Sequence, residues 1–212
     1  MSNQVVKDKM AREIMVIPTK EVFLFVNRKN GLLPPNEDLL NHINSNYQWM
    51  VRGEAEENPE FKQPIPYGVL INSQGEVFLY KRWGKNSTAG EKRLHEKLSI
   101  GVGGHVEKKD VGNSQDPLTL TFQRELEEEI GLKPQDIDEI KLIGFVNDDS
   151  NEVGKVHLGI VFLVKVKDDF KPVMSDGELQ SGEFVSPQEI KKSVEEWGDM
   201  ETWSQIILNE YF

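Results

Sequence analysis

Three glutamates near the middle of the chain carry the clearest chemical signal. Glu125, Glu128 and Glu129 lie in "RELEEEIGL", Arg124 to Leu132. At about 100° per residue on a helix, Glu128 and Glu129 fall within about 60° on either side of Glu125. Glu127 points away, toward solvent. Like charges this close repel, and no Lys or Arg follows any of the three one turn later within the helix. A hard divalent cation with oxygen ligands is their natural partner, and Mg²⁺ in particular combines carboxylates with substrate phosphate oxygens.

The element that carries these acids has readable ends. Pro117 to Ile130 is predicted as a helix, with Asp116 as its cap, Pro117 in the first position and Gly131 just past the end. Phe122, Leu126 and Ile130 recur at helical spacing and form an apolar stripe beside the acidic edge. One edge therefore enters a core while the next presents carboxylates. Upstream, "GVGGHVEKKD" (Gly101 to Asp110) supplies a glycine turn whose backbone can approach a phosphate or offer a carbonyl to a metal.

Together these residues resemble the Nudix box, G-x5-E-x7-R-E-U-x-E-E-x-G-U, in which U is a bulky aliphatic residue. Arg124, Glu125, Leu126, Glu128, Glu129, Gly131 and Leu132 fit its second half, and Gly104 fits its glycine. The first half departs from the pattern. Asp110 stands five residues beyond Gly104 where the family has Glu, and the interval to Arg124 is longer than the pattern allows. Counting back from Arg124 reaches Asp116 instead, and Glu107 is a third candidate. Asp116 already has a structural role before Pro117, so Asp110 is favoured as the loop acid.

The resemblance implies an α+β fold of the Nudix type, an α/β/α sandwich around a mixed β-sheet with an N-terminal extension. It implies MutT-like, Mg²⁺- or Mn²⁺-dependent hydrolysis of the diphosphate linkage in a nucleoside diphosphate derivative. The metal would be held by Gly104, Glu125, Glu128, Glu129 and Asp110. Arg124 would orient Glu125 or Glu128, and one of the glutamates or Glu178 would act as base. Glu178 is otherwise a solvated loop acid. Arg82, at the end of "EVFLYKRW", would contact phosphate or base, or else sit at the surface. Trp83 would stack on a nucleobase or simply pack. His105 and His157 show no partner at metal-ligand spacing and read as turn and strand residues. A catalytically inactive nucleotide sensor on the same fold is the alternative. An isopentenyl diphosphate isomerase is disfavoured because its family chemistry uses cysteine, and this chain has none.

The rest of the 212-residue sequence must position that site. Residues 1–64 are expected as an extension of strands and a helix, and 65–212 as the hydrolase domain. "EIMVIPTKEVFLFV" reads as one or two strands, "NEDLLNHINSNYQWMV" as a helix, and "GEAEENPEFKQPIP" as a polar linker. "YGVLINSQGEVFLYKRW" reads as a hairpin. Further strands follow in "EIKLIGFVND" and "KVHLGIVFLVKV", then two C-terminal helices. The net charge of −11 disfavours a long nucleic acid as partner. The longest apolar run is too short for a membrane span, and no secretory h-region is visible. With no cysteine, a reducing cytoplasm is the expected location. The expected partner is a nucleotide-type small molecule, and a homodimer is left open.

Overall fold

The computed structural model describes residues 7–82, 97–173, 179–197 and 199–212. Its centre is a mixed sheet. The strands are β1 (Glu13–Pro18), β2 (Gly31–Leu33), β3 (Gln48–Val51), β4 (Phe61–Ile71), β5 (Val77–Arg82), β6 (Leu98–Ser99), β7 (Gly101–Gly103), β8 (Ile137–Asn147), β9 (His157–Val166) and β10 (Leu179–Val185). The main path runs β10-β5-β4-β9-β8-β2. Among the described strands, β4 and β9 pair in parallel, from Gln63↔His157 to Ile71↔Lys165, and the other strand pairs are antiparallel. Four longer helices are α1 (Glu37–Asn46), α2 (Pro117–Ile130), α3 (Pro187–Trp197) and α4 (Thr202–Glu210).

Helices cover both faces. On one, Phe122, Leu126 and Ile130 of α2 pack with Leu70, Phe78, Tyr80, Val102 and Val164, so the apolar stripe is buried as its spacing predicts. On the other, Ile190 of α3 and Ile207 and Leu208 of α4 pack on Tyr67, Val69 and Val161. A third cluster joins Leu39 and Ile43 of α1 to Met15, Leu33, Phe145 and Ile160. The N-terminal segment is therefore continuous with the sheet through its core.

The N-terminal readings need correction. β1 ends at Pro18 and a short helix, Thr19–Val22, follows where a strand was expected to run on. The predicted helix from Asn36 stops at Asn46, and Gln48–Val51 pairs antiparallel with β1. The β-branched and aromatic residues at its end found a strand partner that local periodicity cannot reveal. The expected linker is mostly structure: Arg52–Ala55 is helical, and Phe61–Pro66 opens the long, buried strand β4. Pro64 and Pro66 suggested a linker because proline cannot donate to a ladder. The edge of β4 opposite β9 is paired at Phe61 and Lys62 with β1 and at Tyr67–Val69 with β7. Both prolines fall in the gap between these pairings. They are two residues apart, so both nitrogens face the same edge.

The same irregularity shapes the site. β4 and β5 pair with each other at Ile71↔Val77. Beyond that point β7 runs along β4 and β6 along β5. The glycine segment is thus drawn into the sheet and leaves it at Gly103, directly before Gly104.

Candidate active site

Helix α2 is terminated as its sequence requires. The Asp116 carboxylate accepts from the Thr119 amide at 3.1 Å, and Asn44 of α1 donates to the same oxygen at 3.1 Å. Gly131 takes the left-handed conformation at φ 70° that closes the helix. Asp116 is therefore a cap shared with α1.

Of the three glutamates, Glu129 is buried, Glu125 is largely covered with a side chain 13% exposed, and Glu128 reaches out with a side chain 61% exposed. Arg124 binds two of them. Its Nη2 donates to Glu125 Oε1 at 2.6 Å and its Nη1 to Glu128 Oε2 at 2.7 Å. Counter-charge does exist on the helix, but on the N-terminal side of the acids, where a scan one turn forward from each acid does not look. Burial works against the Arg124 charge, but Glu125, Glu128 and Asp110 outweigh it and raise the guanidinium pKa further. It is a permanent cation.

Gly104 lies over Glu125. A β-carbon built on it would overlap the Glu125 carboxylate, lying 2.6 Å from Cδ. The glycine is what lets the loop backbone meet the acid across 21 residues of sequence.

The three loop-acid candidates separate by geometry. Asp110 Oδ2 lies 3.7 Å from Arg124 Nε, facing the cluster. Glu107 is drawn the other way. Arg12 Nη1 donates to both its oxygens at 2.8 and 3.1 Å, and Lys109 Nζ lies 3.2 Å away. Burial raises the Glu107 pKa, but these two cations outweigh it and hold it low. Arg12 thereby clamps the N-terminal segment to the loop. Asp116 is occupied as a cap.

Arg82 ends β5 and pairs with Leu179 of β10, but its side chain lies outside the described residues. Trp83 and Glu178 lie outside them altogether.

Two residues read as isolated are brought together. His105 Nε2 lies 3.1 Å from His157 Nε2 and 2.8 Å from Gln63 Oε1. Burial, then the charges of Arg52, His157 and Lys9, push the His105 pKa well below the ordinary imidazole value. Separations of 42 and 52 residues hide these contacts from any spacing rule. Lys62 and Asp149 were likewise missed. Lys62 is fully buried, and its ammonium donates to Asp149 Oδ1 at 2.8 Å and to the Gly154 carbonyl at 2.9 Å.

A divalent cation fits this helix edge. The donors are hard carboxylate oxygens, and the absence of a side chain at Gly104 leaves its backbone in contact with Glu125.

Comparison with known proteins agrees with this geometry. The NUDIX domain profile matches residues 62–203. Protein YmaB of Bacillus subtilis (strain 168) is 38% identical over 210 residues, covering 95% of this chain and 98% of that protein. The crystal structure of Tm1382, assigned to the Nudix hydrolases, superposes with a TM-score of 0.74 at 27% identity, over 94% of this chain and all of that one. A NUDIX hydrolase from Alicyclobacillus acidocaldarius shares the fold, with a TM-score of 0.53 at 14% identity over 70% of this chain and 90% of that one. No helix among the described residues is long and apolar enough to cross a membrane. With a carboxylate helix capped at both ends, a glycine loop seated on its first acid, and a relative matched over nearly the whole length, the chain belongs to the Nudix family of hydrolases.

Proposed function

We propose that this Nudix hydrolase uses Mg²⁺ or Mn²⁺ to cleave the diphosphate linkage of a nucleoside diphosphate derivative, with water attacking phosphorus. The observation that carries the reading is the shared edge of Glu125, Glu128 and Glu129 beside Gly104. Glu129 is 6% exposed there, and hard carboxylate oxygens gathered on one helix edge are the donor set a divalent cation takes. A divalent ion at that edge supplies charge neutralisation of the diphosphate and acidification of water. The Gly104 carbonyl, the three glutamates and Asp110 are its proposed ligands.

Arg124 is the positioning residue. By holding Glu125 and Glu128 in fixed rotamers it removes freedom that would otherwise be lost on metal binding. The proton of the attacking water passes to one of the glutamates or to Glu178. Arg82 and Trp83 are proposed to face the substrate, the first binding phosphate and the second stacking on a base. Residues 65–212 form the proposed catalytic domain and 1–64 an extension packed on it, a reading supported by the NUDIX match. A cytoplasmic location fits the absence of cysteine.

The test is a panel of nucleoside triphosphates, dinucleoside polyphosphates, ADP-sugars and NADH, with Mg²⁺ or Mn²⁺ at mildly alkaline pH. Turnover within the diphosphate of one class, lost in Glu128→Gln, supports the proposal. Tight binding of one nucleotide with no turnover would instead make the chain a sensor.

A further inference from the structure

The paired imidazoles take no part in the carboxylate chemistry above. His157 opens β9, and its Nδ1 lies 2.7 Å from the Val153 carbonyl. A carbonyl only accepts, so Nδ1 carries the proton and Nε2 of the neutral ring offers a lone pair. A second interaction that fixes the tautomer in this way is what metal-ligating histidines commonly have. The Nε2 lone pair faces His105 Nε2 at 3.1 Å. Glu56 completes the group, with one donor atom each from Glu56, His105 and His157 lying within 4.8 Å of one another. The Arg52 guanidinium holds Glu56 Oε1 at 3.2 Å. A fully buried fourth side chain, Gln63, aims Oε1 at the same His105 nitrogen from 2.8 Å. Donors around a tetrahedral Zn²⁺ sit about 3.3 Å apart, given bonds of about 2.0–2.1 Å. The two nitrogens, 3.1 Å apart, are already near that spacing, and the carboxylate lies within 4.8 Å of both.

We propose that Glu56, His105 and His157 form a binding site for a Zn²⁺-class transition-metal ion, separate from the Mg²⁺ site of α2. Two imidazoles and one carboxylate are donors of intermediate softness, which suit zinc, cobalt or nickel and leave magnesium to the all-oxygen edge. The site joins three parts of the chain. Glu56 follows the Arg52–Ala55 helix of the N-terminal segment, His105 follows Gly104, and His157 starts a central strand. An ion here ties the N-terminal segment to the sheet and steadies the backbone that presents Gly104. The competing arrangement is a metal-free pair, in which the His105 Nε2–H is shared between His157 and Gln63.

The full-length chain, stripped with chelator, is titrated with Co²⁺ in excess Mg²⁺, which fills the α2 edge. The expected result is one bound equivalent with visible d–d absorption of nitrogen–oxygen coordination, abolished when Zn²⁺ displaces it. Glu56→Gln and His157→Gln should each weaken Co²⁺ binding about tenfold or more. Glu129→Gln should leave the spectrum unchanged. Zn²⁺ should raise the Tm of the wild type but not of Glu56→Gln. Because His157 is buried and its variant risks misfolding, the half-buried Glu56→Gln, checked by circular dichroism, decides the matter. Absence of Co²⁺ binding in excess Mg²⁺ would establish the metal-free pair and overturn the proposal. So would wild-type Co²⁺ affinity in folded Glu56→Gln, or a spectrum lost in Glu129→Gln. None of these outcomes bears on nucleotide hydrolysis.

Discussion

Replacing Gly104 with alanine separates the chemistry of the site from its stability. The new methyl would lie 2.6 Å from Glu125 Cδ, against an ordinary contact of 3.4–4 Å. The carboxylate must therefore retreat by about 1 Å. That retreat is cheap in stability, because the obstacle is the end of a flexible side chain. The loss of unfolded-state freedom on Gly→Ala returns about 0.4–1 kcal/mol. The net change in Tm should be within about 4 °C, at about 2–4 °C per kcal/mol for a chain of this size. Activity has no such compensation. The Glu125 carboxylate is held by Arg124 at 2.6 Å, so displacing it disturbs Glu128 through the same guanidinium. A misplacement of about 1 Å in a reacting constellation costs on the order of 10²-fold in rate. The assays are turnover of the best panel substrate, Mn²⁺ affinity by electron paramagnetic resonance, and Tm by scanning fluorimetry. Wild-type kcat and wild-type Mn²⁺ affinity in a folded Gly104→Ala would refute the reasoning, since Glu125 would then not work from beneath the glycine loop.

Other outcomes follow from the same geometry. Glu129→Gln should lower kcat by at least about 10²-fold, and its Tm should gain much less from Mg²⁺ than the wild type, which rises by about 5–10 °C at a hundredfold excess over Kd; equal shifts would place the ion elsewhere. Asp116→Ala should cost roughly 0.5–2 kcal/mol as a lost cap and leave kcat unchanged, whereas Asp110→Ala should impair kcat and spare stability. An inactive but stable Asp116→Ala would reverse that assignment. Asp149→Asn strands the buried Lys62 ammonium and should cost about 3 kcal/mol, a Tm loss of roughly 6–12 °C, while Lys62→Met should cost far less. The Asp149 pKa is pushed up by burial but held low overall by Lys62 and Arg28. Its contribution is therefore complete above its unfolded pKa of about 3.9 and fades as pH falls through the lower folded value. The deficit of Asp149→Asn against wild type should shrink below about pH 4 in a Tm-versus-pH series; a deficit constant down to pH 2 would exclude the ion pair as its cause.

The sequence by itself determined whatever depends on neighbours within a turn or two. Asp116, Pro117 and Gly131 set the ends of α2 because a helix end needs a side-chain acceptor, a residue without a spare N–H, and a left-handed exit. The apolar stripe and the acidic edge follow from the helical period alone. Tertiary structure decided what depends on strands meeting. Two prolines in a polar stretch made a buried strand look like a linker, because only its pairing with β9 shows it to be a strand. The Asp-Pro pair set Asp116 aside as a cap, but what holds Glu107 away from the cluster is Arg12, 95 residues distant in sequence. Gly104 reached Glu125, and Glu56, His105 and His157 met, because the register of β4 against β7 and β9 carries them there. Side-chain periodicity is a property of the local backbone, whereas proximity across 20 to 100 residues is set by which strands pair and in what register, and no local pattern encodes that choice.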